Sequence, residues 1–346
     1  MRDASRRNQA RPGRFANIKS GQAVPILSAE AIFDLVFPGH ASLAQTYAEY
    51  VCGALGDNEH MPGMPAFLKE DMPGMAQFFK LRRQREALLQ RMDYTHDDLR
   101  ADFCSFIKEF IFDYAQAQKV DPSLLDEAEA QINDKTVTEF AAILQYPRLD
   151  GNQDDPLQVL ANLPFRILLT TSPYRFLEAA LVNAGKTPRT IMIRWCQDLR
   201  NLEKASIPEV PEGRDPKDFP LVCHLFGLDT NSSSLVLTED DYLNFLRDVS
   251  LARGDDKRDS VPSDVRKALS SDLLILGFSL KSWAFRVLYA GLIKSEDSGR
   301  GNRGICVQLP PNEDERDYLH DYLQREALFD VDWNDLSQYV RDLPKP

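Results

Sequence analysis

The chain has 346 residues, 43% of them hydrophobic and 27% charged, enough for one large or two smaller globular domains and too apolar for a disorder-dominated protein. Its net charge of −12 speaks against nonspecific binding to nucleic acid or to an anionic membrane, since neither phosphate backbones nor anionic lipids attract such a surface. No apolar run reaches the ~18 residues of a membrane span, no secretory signal is present, and Cys52, Cys104, Cys196, Cys223 and Cys306 form no Cys-x-x-Cys pair, so the reading is cytoplasmic, with buried thiols and no metal.

Residues 1–20 are rich in arginine (Arg2, Arg6, Arg7, Arg11, Arg14) and nearly free of acids, which predicts a basic flexible arm. Residues 21–346 read as one domain, with a core built from 21–41 and 157–310, an all-helical insertion at 42–156 and a C-terminal helical closure at 311–346. The apolar run at 23–27 predicts a first strand, although Pro25 argues against a central place in a sheet. From residue 42 the pattern is helical and is expected to stand as a separate lobe. Met61-Pro-Gly-Met-Pro65, Met72-Pro-Gly74, Asp121-Pro122 and Leu149-Asp-Gly-Asn152 read as the loops between its helices.

After Pro156 strands and helices alternate. Apolar runs at 166–170, 191–195, 221–225, 273–276 and 305–309 predict strands, with helices between them over 174–183 and 283–293. Thr238 followed three residues later by Asp241 predicts a helix start, and Tyr242, Leu243, Phe245, Leu246 and Val249 give that helix an apolar side. Continuous rather than alternating apolar strands indicate a doubly wound parallel α/β sheet, covered on both faces. Residues 314–328 and 333–343 read as the closing helices.

In such sheets ligands sit beyond the carboxyl ends of the strands. The residues that follow the apolar runs are Ser28, Ala29 and Glu30; Thr170, Thr171 and Ser172; Phe226 with Gly227; and Gly277, Phe278 and Ser279. None of these stretches is a Gly-x-Gly-x-x-Gly or a P-loop, and singly each fits a helix cap as well as a ligand contact.

Taken in order, three blocks carry a resemblance. They are Ile167-Leu-Leu-Thr-Thr171 with Phe176-Leu-Glu-Ala-Ala-Leu181, the stretch from Ser234 through Thr238 and Asp241 to Leu246, and Leu274-Ile-Leu-Gly-Phe-Ser-Leu280 with Trp283 and Arg286. From about residue 21 onward the chain resembles the sirtuin-like domains of bacterial antiviral defence proteins. The resemblance implies a Rossmann-type NAD or ADP-ribose site with an inserted helical subdomain, NAD hydrolysis in active members, and self-association or a second defence protein or domain as partner.

The motif positions depart from that family. Its Gly-Ala-Gly is replaced here by Ser28-Ala29-Glu30, which denies the backbone close approach to a pyrophosphate. Ser172 stands where the resemblance places a water-orienting Asn, and Tyr174 where it places an acid. Phe226 stands at the general-base position and cannot take a proton. Strand alternation puts His224 on the same face as Phe226, where it could substitute through a water. The expectation is a catalytically degenerate, regulatory or scaffold module whose nucleotide crevice involves Ser28, Ala29, Glu30, Thr170, Thr171, Ser172, Phe226, Gly277, Phe278 and Ser279. The alternative is an active NAD glycohydrolase with His224 and Ser172 as its variant catalytic pair.

Overall fold

A strand that is apolar at every residue must bury both of its faces. The structure, a computed structural model, describes residues 12–55, 64–149, 155–196, 199, 207–251, 260–279, 282–293, 305–307, 330–332 and 336–343. Among these, β1 (Val24–Leu27), β2 (Ile167–Thr170), β3 (Arg189–Met192), β4 (Leu221–His224), β5 (Leu273–Leu276), β6 (Ile305–Val307) and β7 (Asp330–Asp332) form one parallel sheet in the order β3-β4-β2-β1-β5-β6-β7. The side chains sort by strand alternation. Leu27, Leu168, Val222, Leu274 and Leu276 enter one hydrophobic cluster, and Ile26, Leu169, Cys223, Leu273 and Ile275 enter the other.

The first cluster is covered by α2 (Ala29–Val36), α8 (Pro156–Asn162), α9 (Phe176–Asn183) and α13 (Leu336–Arg341). The second is covered by α10 (Glu239–Leu251), α11 (Ser263–Leu269) and α12 (Trp283–Leu288), which runs on as a π-helical turn over Tyr289–Ile293. The expected doubly wound α/β architecture is therefore present. The start of α10 is the reciprocal box that its sequence predicts: Asp241 N–H donates to Thr238 Oγ1 at 3.1 Å, and Thr238 N–H donates to Asp241 Oδ2 at 3.0 Å.

Pro25 lies in a central strand, contrary to expectation. Val24 N–H and Ser28 N–H both donate toward β5, to Asp272 O and Leu276 O, so alternation turns Pro25 toward β2. There the ladder begins only at Ile26, opposite Leu169, and no bond is lost.

The insertion contains α3 (Leu43–Leu55), α4 (Met72–Leu89), α5 (His96–Ala117), α6 (Pro122–Gln131) and α7 (Val137–Ile143). It does not stand as a separate lobe, because its core is continuous with the layer over α2 and α9. Phe33 meets Phe110 at 5.5 Å between ring centroids, and Phe37 meets both Tyr146 at 5.0 Å and Phe176 at 5.7 Å. Polar clamps join the same parts. Thr138 N–H and Oγ1 both donate to Asp229 Oδ2 at 2.7 Å, and Arg100 Nε donates to Leu235 O at 3.2 Å with Asp241 3.7 Å from the guanidinium.

Other expectations are revised locally. Residues 12–20, expected in a flexible arm, form α1 (Pro12–Ser20), because Ile18 finds cover and Asn17 bonds Asp272. Met72-Pro-Gly74 opens α4 instead of forming a loop, since a proline in the first helical turn gives up an N–H that has no intrahelical partner. Strand β3 ends at Met192, short of Trp195, whose indole N–H donates to Ser234 O at 2.8 Å. Strand β7 was unexpected, in a stretch read as helical closure. Residues 1–11, 61–63, 150–152 and 314–328 lie outside the described residues.

Gly277 fixes how closely α2 crosses the end of β5. Its φ is +72°, and a Cβ there would sit 2.1 Å from the Cβ of Ala31. Gly277→Ala should destabilise the protein by roughly 1–3 kcal/mol, read as a lower urea midpoint at unchanged slope. An unchanged midpoint would show that this crossing is loose.

Candidate functional site

Neighbouring strands β1 and β5 send their following helices to opposite faces of the sheet, which leaves a crevice at their carboxyl ends. A cleft of about 630 Å³ occupies that place. The loops after β1, β2, β4 and β5 form one wall, and Leu43, Asp71, Met72, Phe103 and Ile107 of the insertion form the other. Of the residues expected at a nucleotide site, Ala29, Glu30, Thr171, Phe226 and Ser279 line the cleft. Ser28, Thr170, Ser172, His224, Gly277 and Phe278 do not, and Gly277 packs on Ala31 instead.

A helix that opens onto such a cleft offers free backbone amides to a phosphate. In α2 two of those amides are taken. Ala29 N–H donates to Thr171 Oγ1 at 2.9 Å, and Ala31 N–H donates to Ser28 Oγ at 2.9 Å. Ser28 Oγ in turn donates to Gly277 O at 2.6 Å. Glu30 is exposed toward the cleft, with the loops that form the wall around it. Desolvation by the surrounding protein pushes its carboxyl pKa up, against the pull of its own backbone N–H and of Ser28. A dinucleotide pyrophosphate thus meets engaged amides at Ala29 and Ala31 in the first turn of α2, and at the Glu30 N–H between them it faces the Glu30 carboxyl itself, so the residues present do not fit it.

His224 is fully buried and belongs to a different constellation. Its Nδ1 donates to Ser172 O at 2.6 Å, and its Nε2 lies 2.9 Å from Glu178 Oε1, which also accepts from Thr190 Oγ1 at 2.8 Å. Both ring nitrogens face acceptors, the arrangement that suits an imidazolium. Burial opposes that charge, but Glu178, Ser172 O and Asp229 outweigh it and raise the His224 pKa. Burial likewise opposes the Glu178 carboxylate, and His224 and Thr190 outweigh it and lower its pKa.

The expected shared face of His224 and Phe226 is not found. Strand β4 ends at His224, so alternation stops there. His224 stays on the α9 side with Val222, whereas Phe226 turns into the opposite cluster, edge-on to Tyr242 at 5.2 Å and to Phe245 at 5.0 Å. Ser172 is buried within its own loop. Its N–H donates to Thr170 Oγ1 at 3.0 Å and its hydroxyl accepts from Tyr174 N–H at 3.3 Å.

Sequence reading missed the wall that the insertion supplies, in particular Asp71 and Met72, and it read Tyr242 only as a packing residue. The Met72-Pro-Gly74 turn was the available signal, and nothing in it fixes which way the helix start faces. Among the described residues, no group of three or more His, Cys, Asp or Glu is placed to hold a metal, and no helix is long and apolar enough to cross a membrane.

The pair of His224 and Glu178 makes stability depend on pH. The raised histidine pKa contributes stability that is full below its ordinary 6.5 and lost as pH rises through the folded value. The lowered glutamate pKa contributes stability that is full above 4.5 and lost as pH falls through its folded value. The stability difference between wild type and a His224→Gln, Glu178→Gln double variant should therefore peak between 4.5 and 6.5 and decline on both sides. His224→Ala alone strands a buried carboxylate and should cost roughly 3–5 kcal/mol. Urea unfolding across pH checks both, and a flat difference would show the pair to be uncharged.

Residues 166–326 match the family model described as a SIR2-like domain. A search of curated proteins finds no match for the chain. The family match supports a sirtuin-like, NAD-related domain over that stretch, carried on the parallel sheet described above.

Proposed function

We propose that this chain is a SIR2-like module that does not hydrolyse NAD and works as a regulatory or scaffold component of a bacterial defence system. The observation that carries the reading is the first turn of α2, whose Ala29 and Ala31 amides are bonded to Thr171 and Ser28 where a phosphate would need them, with the Glu30 carboxyl set between. Phe226 adds to it. Cleaving a glycosidic bond needs a positioned water or an activated ribose hydroxyl, together with stabilisation of the developing cation. The phenyl ring in the cleft offers no proton acceptor.

The glycohydrolase reading assigns the base role to His224 with Ser172. The geometry favours it less, because both ring nitrogens of His224 are engaged behind the cleft wall and the Ser172 hydroxyl is engaged in its own loop. The defence setting and a partner, whether a second copy or a second protein, come from the resemblance. Both accord with a module that has kept its fold and given up its chemistry.

The test is NAD consumption by the purified protein and by Phe226→His, with any partner that co-purifies added. Base catalysis typically supplies 10²- to 10⁴-fold, or about 3 to 5 kcal/mol of barrier, so wild type is expected at background. Phe226→His is expected there too, because the α2 turn stays closed. Robust wild-type turnover would refute the reading.

A further inference from the structure

The cleft has the wrong chemistry for a dinucleotide, yet it is not filled. Phe33, Phe67, Phe103, Phe226, Tyr242 and Trp283 give it an aromatic lining. Its charged lining residues are the acids Glu30, Glu70 and Asp71 against one cation, Arg286. Tyr242 is nine-tenths buried, and its hydroxyl has no hydrogen-bond partner among the described residues. Burial raises the Tyr242 pKa, and Glu30, Asp241 and Asp71 add to the shift, so these carboxylates lie close enough to act on the phenol. A phenolic hydroxyl open to an aromatic cleft can donate or accept, and the acids beside it favour a cationic donor as the partner of its oxygen.

We propose that this cleft binds an organic cation with an aromatic or aliphatic body. The ammonium or guanidinium group faces Glu30 and the Tyr242 hydroxyl, Asp71 adds negative potential from the opposite wall, and the body lies against Phe226 and Trp283. Each part of the site meets a need of such a ligand. Carboxylate and phenol take up the donors that the cation loses from water, and aromatic faces attract a cation as well as its hydrocarbon. The ligand deepens the reading that the cleft has left NAD chemistry, and rests on it. The two fail separately, since turnover of NAD overturns that reading, whereas the probes below test the cation site alone.

The full chain is titrated calorimetrically with 4-phenylbutylamine, 4-phenylbutanol and 4-phenylbutanoate, which share one body and differ in charge. Wild type is expected to bind the amine about tenfold more tightly than the alcohol and the carboxylate more weakly than either. Glu30→Gln, a change at a side chain open to the cleft, should bring the amine to parity with the alcohol while leaving the alcohol unaffected. Equal binding of amine and alcohol by wild type, preference for the carboxylate, binding of none of the three, or an amine preference that survives Glu30→Gln would each overturn the proposal. A Glu30→Lys variant guards against an accidental result, because it should reverse the preference toward the carboxylate.

Discussion

Two hydroxyls hold the carboxyl edge of the sheet together. Thr171 ties β2 to the start of α2 by accepting from Ala29 N–H, while its own N–H donates to Leu27 O at 3.0 Å. Ser28 caps the same helix and bonds the carbonyl of Gly277 at the end of β5. Three strands and one helix are thus fixed within one turn of chain, and the absence of a side chain at Gly277 lets them come that close. The consequence reaches function, because a helix start that engages the Ala29 and Ala31 amides and sets the Glu30 carboxyl beside the amide between them leaves little for a ligand's phosphates.

The buried ion pair does comparable work one layer behind. His224 and Glu178 join β4 to α9, take in Thr190 of β3 and hold the carbonyl of Ser172 in the loop that leads to Pro173 and Tyr174 of the cleft wall. Buried pairs often stabilise a fold less than an apolar substitute would, but removing one partner is costly. The pair therefore explains why a histidine can persist near the sheet edge with no access to the cleft. It acts by positioning, through the loop it grips.

Much of the fold was legible because its signals are local. Each apolar run overlaps a strand of the sheet, and the Thr238 and Asp241 box opened α10 as read. Legibility ended where the outcome depends on partners distant in sequence. Pro25 was misread because its tolerance depends on where β2 begins to pair, and α1 because the burial of Ile18 cannot be read from an arginine-rich segment. At the site, strand-end logic brought Ala29, Glu30, Thr171, Phe226 and Ser279 to one cleft. It could not say that alternation stops at His224, nor that Tyr242 and the insertion residue Asp71 would face the same space.

The central claim is that the first turn of α2 is closed to phosphate, and equilibrium binding of ADP-ribose tests it without relying on any catalytic step. Calorimetric titration of the wild-type chain is expected to show no binding tighter than about millimolar, a free energy near −4 kcal/mol. A micromolar dissociation constant, near −8 kcal/mol, would mean that Ala29 and Ala31 exchange their hydroxyl partners for phosphate, and would contradict the account.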